Sequence, residues 1–271
     1  MGPQPENRDV ALPVQRIYLR YAKRGRLRFS SHRDFQRAFE RALRRAEVPM
    51  AYSAGFNPHP KVSYANAAPT GTASEAEYLE IAVVSRLDPD RVARDLDAAL
   101  PAGLDIIEAV EVGTSDLAHR LEASVWEIGL PGAGIGEVVR AVEKLQAADR
   151  VEVSRVTKKG LRTFDARGPI VAIWVGPSDG PERERIEDSA LVGGSDVPAT
   201  GESCAILHLV VRQVTPAVRP DDVLAALTQL ADLVLPVPPV VTRRAQGPLA
   251  PDARSVLDPL ASDRGEAVVG T

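Results

Sequence analysis

The residues best able to do chemistry lie close together near the N-terminus. Arg33, Arg37 and Arg41 recur every four residues, and Arg44 and Arg45 follow within one turn. On a helix this spacing puts the guanidinium groups on a shared face, about 5.4 Å apart along the axis. Each guanidinium is a planar fork that bonds two phosphate oxygens at once, so a row of them suits successive phosphates of a nucleic-acid strand. Arg26 and Arg28 stand just upstream. His32 opens the helix, where the partial positive charge of the first turn favours a nearby anion.

A second group follows in Tyr52–Lys61. Pro58 and Pro60 each fix a backbone angle and restrict Asn57 and His59 before them. Gly55 permits a turn that other residues resist. The expected product is a stiff loop, entered through Ser53, that presents Phe56, Asn57, His59 and Lys61. Phe and His can stack on unpaired bases, Asn can read a base edge, and Lys can hold phosphate.

Other chemistries find less support. The four histidines, His32, His59, His119 and His208, are scattered and make no metal-ligand spacing. Cys204 stands alone, which excludes an internal disulfide, a cysteine-based zinc site and an iron–sulfur cluster held by this chain alone. No phosphate-binding GxxxxGK[ST], no GxGxxG after a strand and no GxSxG occurs. Hence no cofactor is expected. No apolar run approaches the ~20 residues that span a bilayer, and the first ten residues lack the apolar core of a secretory signal. A cytoplasmic protein away from membranes is the expectation.

The elements that must position these residues are readable from periodicity. Ile17, Leu19 and Tyr21 alternate with Arg16, Tyr18 and Arg20, which predicts a half-buried strand from Gln15. Phe35, Ala38, Phe39, Ala42, Leu43 and Ala46 form one apolar stripe of a helix at about 32–47, with Ser31 and Asp34 as its capping pair and Pro49 beyond its end. Strands at 62–65 and 76–85, a helix at 89–99 opened by Asp88-Pro89, and a strand at 104–112 complete a β-α-β-β-α-β order. The second half repeats this plan. It has a strand at 123–130, a helix at 135–147, strands at 150–156, 161–166, 169–175 and 205–211, a helix at 220–232, and an edge strand at 233–241 interrupted by prolines.

The fold class expected is α+β, with tandem ferredoxin-like sandwiches at 14–113 and 121–243. Residues 177–202 read as a disordered acidic insertion, and 1–12 and 248–271 as flexible tails. Charge divides along the chain. Residues 1–70 carry a balance of +8 and the remaining 201 residues −12, behind a net charge of only −4. Such asymmetry points to a polyanion-facing surface on the first part.

The segments RLRFSSHRDFQRAFERALRRAEVPMAYSAGFNPHPKVSYANAAPTG and EAEYLEI resemble the radical-SAM-associated protein family, a bacterial domain of unknown function. The likeness rests on Ser31, His32, Asp34, Arg37, Arg41, Arg44 and Arg45. It continues through Tyr52, Ser53, Gly55 to Pro60 and Glu77 to Glu80, and covers about residues 14–112 specifically. Lys61 departs from it, standing where Arg is common. The resemblance implies a companion of a radical-SAM enzyme rather than the enzyme, and a single cysteine indeed cannot supply the three thiolates of a radical-SAM cluster.

The combined expectation is a noncatalytic accessory protein. It binds structured RNA, tRNA or rRNA, through Arg26, Arg28, His32, Arg33, Arg37, Arg41, Arg44, Ser53, Phe56, Asn57, His59 and Lys61, beside a radical-SAM partner. Two alternatives stand next to it. One is an interaction subunit that docks on the radical-SAM protein without RNA. The other is a metal-independent ribonuclease that uses His32 or His59 as acid and base.

Overall fold

The computed structural model describes residues 11–54, 56–114, 116–157, 160–176 and 204–265. The segments expected to be mobile at 1–10, 177–202 and 266–271, and Gly55 of the proline loop, lie outside the described residues. The protein is α+β, its strands pair mostly antiparallel, and the chain divides into two compact units. Residues 11–122, 243–251 and 256–265 belong to the first unit, and the rest of the described residues to the second.

In the first unit, β1 (Gln15–Lys23) is the central strand, paired antiparallel to β3 (Ala73–Val83) on one side and β4 (Leu104–Glu111) on the other. β2 (Val62–Ala65) lies against β3, with Tyr64 opposite Leu79. The strand order is therefore β4-β1-β3-β2. Helices α1 (His32–Arg45) and α2 (Pro89–Ala99) belong to the same unit. Ile17, Leu19, Leu79 and Ile81 from the strands pack with Phe35, Phe39 and Leu43 of α1 and Val92 and Leu96 of α2 in one core. Tyr21 and Phe35 stack with centroids 4.4 Å apart, and Phe35 stacks on Phe39 at 5.8 Å. Aromatic pairs of this kind add to area burial and hold the helix at a fixed rotation about its axis.

The opposite face of this sheet is also covered. Tyr18, expected to face solvent, is 1% exposed and packs with Tyr78, Val110, Leu121 and Leu260. Leu260 comes from the segment expected to be a flexible tail. Up to Gly265 that segment is instead held in place. Asp263 accepts hydrogen bonds from the backbone N–H groups of Gly113 and Thr114, both at 3.0 Å, and pairs with Arg120 at 2.6 Å. The chain can return this way only because residue 247 is glycine, since a Cβ there would meet the Leu257 carbonyl oxygen at 2.0 Å. Alternation in β1 thus failed to mark a solvent face because the covering layer comes from far along the chain.

The second unit contains β5 (Ala123–Leu130), α4 (Ile135–Ala147), the hairpin β6 (Glu152–Thr157) and β7 (Gly160–Asp165), β8 (Ile170–Val175), β9 (Ala205–Arg212) and α5 (Pro220–Ala231). A one-turn helix, α3 (Leu117–Arg120), precedes β5 in the first unit. β9 lies between β5 and β8, antiparallel to both. Ile128, Leu130, Leu207 and Leu209 from these strands meet Val138, Leu145 and Leu227 from α4 and α5. The hairpin β6–β7 forms its own two-stranded sheet. The last strand, β10, runs Val240–Gly247 rather than 233–241. Pro236, Pro238 and Pro239 lack the N–H donors of a ladder, so pairing begins only beyond them. Residues of β10 from Arg243 onward belong to the first unit, where the strand neighbours β3.

Candidate nucleic-acid interface

The site is built on α1. The Ser31 hydroxyl accepts from the Asp34 N–H at 3.2 Å and donates to the Asp34 carboxylate at 2.6 Å, so the first turn is closed by its own side chains. That hydroxyl holds the Asp34 carboxyl below the usual carboxylate range, with Arg37 as a smaller contributor. Phe35, Phe39, Ala42 and Leu43 are buried, which fixes the helix rotation and turns Arg33, Arg37, Arg41, Arg44 and Arg45 outward.

None of Arg33, Arg37, Arg41 and Arg44 forms an ion pair with a carboxylate among the described residues. Arg45 donates to the Ala99 carbonyl at 3.4 Å. Arg26 is exposed and equally unpaired. Arg28 is half-buried. Its guanidinium lies over the exposed Phe29 ring at 4.8 Å, and its Nε is buried without a hydrogen-bond partner among the described residues. Other cations of the basic run are engaged internally. Arg24 bonds Glu75 and Asp105, Arg16 pairs with Glu80 at 3.6 Å, and Arg20 donates to the Glu75 carbonyl at 3.0 Å.

The proline loop is a small hairpin that leaves the end of α1. Ala51 N–H donates to Ala82 O, Lys61 N–H to Ala51 O and Ala82 N–H to Lys61 O, which ties both stems to β3. Further out, Ser53 N–H donates to His59 O at 2.9 Å, and the Ser53 hydroxyl accepts the His59 N–H at 3.1 Å. Ser53 thus closes the hairpin, and its side chain organises the loop from within. Phe56 and Asn57 beyond this clasp, His59 within it and Lys61 on the stem are all exposed, Phe56 at 80%. An aromatic ring this open at a loop tip is available to a partner.

His32 is exposed at the helix start, its ring edge-on to Tyr64 at 4.9 Å. Burial, followed by the Glu40 carboxylate, pushes the Tyr64 hydroxyl well above the usual tyrosine range. Neither His32 nor His59 has a carboxylate within ion-pair distance among the described residues. Among those residues no three His, Cys, Asp or Glu side chains converge as a metal site. No described helix is long and apolar enough to cross a membrane.

Two residues of this surface are absent from the sequence-derived set. Glu40 is half-buried and has no hydrogen-bond or ion-pair partner among the described residues, and Tyr52 is 43% exposed at the hairpin base. Both line a cleft of about 340 Å³ between the second half of α1 and the hairpin. The available signal for Glu40 was its isolation as an acid inside an arginine stripe. Tyr52 opens the loop segment and belongs to the resemblance, but its ring was not assigned to the site.

Glu77, part of the EYLE segment, has an internal role. It is 2% exposed and paired with Arg243, itself 3% exposed, and it accepts the Ala68 N–H at 3.0 Å. Arg243 also donates to the Asn66 carbonyl at 2.7 Å and the Ser74 hydroxyl at 3.3 Å. Lys23 donates to the carbonyls of Ala68 and Pro69. Together these bonds hold loop 66–72 against the sheet.

No curated protein matches this chain. Among solved structures, a crystal structure of an unknown protein from Galdieria sulphuraria shares 12% identity with it. That alignment covers 84% of this chain and 98% of the other, with a TM-score of 0.23. Residues 16–220 match the family described as "Uncharacterized protein conserved in bacteria (DUF2344)", and on a match of that extent the chain belongs to this family.

Proposed function

We propose that this protein is a noncatalytic accessory factor that binds structured RNA, tRNA or rRNA, for a radical-SAM enzyme. One observation carries the RNA reading: Arg33, Arg37, Arg41 and Arg44 line an exposed helix face without carboxylate partners among the described residues, next to a clasped hairpin that offers Phe56, Asn57, His59 and Lys61. Unpaired guanidinium groups are free to replace the counterions of a phosphate chain, and open rings beside them are free to stack on bases. The radical-SAM partnership rests on the resemblance of residues 14–112.

We also read the scaffold as tandem ferredoxin-like sandwiches. The first unit has the β-α-β-β-α-β sequence and the β4-β1-β3-β2 order that this sandwich requires. The second repeats the element sequence, with β6–β7 inserted after α4.

The test is the salt dependence of RNA binding by the full chain. Wild type should bind tRNA or an rRNA fragment with an affinity that falls steeply as salt rises. Arg37→Ala with Arg41→Ala should reduce the log–log slope by about 1.5, the loss of two phosphate contacts. An unchanged slope removes the reading. A second reading, docking on the radical-SAM protein without RNA, is favoured by the exposure of Phe56. Copurification of the two proteins after nuclease treatment, lost in Phe56→Ala, would select it.

A further inference from the structure

We infer that the cleft between α1 and the proline hairpin is a binding site for an unpaired guanine nucleotide, with Glu40 as the residue that reads the base. The inference deepens the RNA reading and rests on it for the polymer to which that nucleotide belongs.

The cleft measures about 340 Å³, within the range of sites that take a small planar ligand. Its lining combines two chemistries. Leu43, Val48 and Met50 give apolar surface, and Tyr52 and His59 of the hairpin supply flat rings. Glu40 and Arg44 line it from the helix. These two stand at i and i+4, with the acid N-terminal to the base, which is the favourable order for a helical ion pair. They do not form one: neither has an ion-pair or hydrogen-bond partner among the described residues. A carboxylate and a guanidinium therefore line one cleft, each with its bonding capacity unused.

A carboxylate is unexpected on a surface suited to phosphate, because it repels the ligand that the arginines attract. It is explained if it meets a hydrogen-bond donor carried by that ligand. Its two oxygens accept side by side. On the Watson–Crick edges of the bases, only guanine offers two adjacent donors, N1–H and the N2 amino group. Uracil places one N–H between two carbonyl oxygens. Adenine and cytosine each set a ring-nitrogen acceptor next to the amino group. Glu40 thus favours guanine and rejects the other three, while Tyr52 or His59 stacks on its face and Arg44 holds the attached phosphate.

The experiment uses the full chain and four oligouridylates of equal length that carry a central guanosine, inosine, adenosine or uridine. Guanosine, guanosine 5′-monophosphate and uridine 5′-monophosphate are titrated separately. The guanosine oligomer should bind about tenfold more tightly than the uridine oligomer, with inosine, which lacks the N2 amino group, in between. Glu40→Gln should make guanosine and uridine equal, and Arg44→Ala should weaken the monophosphate more than guanosine itself. Unfolding of both variants at the wild-type midpoint attributes these losses to the site.

Equal affinity for all four oligomers overturns the guanine site and leaves the RNA reading standing. Guanosine monophosphate binding that Glu40→Gln removes, with no binding of any oligomer, keeps the site and removes the RNA reading. Binding of neither overturns both.

Discussion

The basic strand and the basic helix of the first unit use their cations in opposite ways. On β1 and at Arg24 just beyond it, every positive group meets a partner from the same unit. Arg16 pairs with Glu80, Arg20 bonds the Glu75 carbonyl, Lys23 bonds the carbonyls of Ala68 and Pro69, and Arg24 forks between Glu75 and Asp105. On α1 the guanidinium groups of Arg33, Arg37, Arg41 and Arg44 meet no carboxylate among the described residues. The difference is geometric. A central strand has neighbours on both sides that can bring acids into register, whereas the outer face of a helix has only water and its own turns. Counting charges along a segment therefore overstates the charge a surface presents. Of the basic run, the helix and Arg26 are the portion left to act on something outside the molecule.

Arg243→Met should give the largest effect, because it leaves Glu77 buried without its counter-charge. A loss of about 3–5 kcal/mol of stability is expected in denaturant unfolding at neutral pH. The same pair sets a pH signature. Burial alone would push the Glu77 carboxyl up, but the Arg243 guanidinium, the Ser74 hydroxyl and the Ala68 N–H together hold it below the usual carboxylate range. Wild-type stability from this group is therefore present above pH ~4.3 and is lost as pH falls through the lower folded value. In Arg243→Met burial acts unopposed by the guanidinium, so the variant should gain stability as pH falls from 7 towards 5. Loss of stability in the variant over that range would contradict the assignment.

Arg24→Ala comes next. Its partners Glu75 and Asp105 are only partly exposed, and a loss of about 1–3 kcal/mol should appear as a lower denaturation midpoint. Ser31→Ala removes the acceptor that closes the first turn of α1. It should cost about 1 kcal/mol and raise amide exchange around Arg33. Arg37→Ala and Arg41→Ala should be the mildest in stability, each within about 0.5 kcal/mol of wild type, while they lower RNA retention. If these two proved as destabilising as Arg24→Ala, the contrast between strand and helix would fail.

Local features carried over from the chain to the fold with little change. The apolar stripe of α1, its Ser31–Asp34 cap and the Asp88-Pro89 start of α2 were legible, because each depends on residues within one or two turns. The exposure of Phe56 and His59 on the hairpin follows from the same local stiffness of the two prolines. What escaped was set by distant partners. Tyr18 alternated as a surface residue yet is covered by Leu260, and the supposed tail at 248–265 holds Asp263 against Arg120. The Ser53 hydroxyl accepts the His59 N–H, a bond that exists only once the hairpin has closed.

By itself the sequence determined most of the segments that become helix and strand, where α1 begins, and that its arginines share a side, since short-range sterics and a 3.6-residue period suffice for those outcomes; the last strand, at Val240–Gly247, was not among them. Only the tertiary structure decided which cations remain open. Neutralisation depends on acids brought within about 4 Å from residues as remote as Glu77 and Arg243, 166 positions apart. The cleft around Glu40 belongs to the same class. Its two walls are a helix and a hairpin held together by bonds to β3, and no periodicity in either wall records the other.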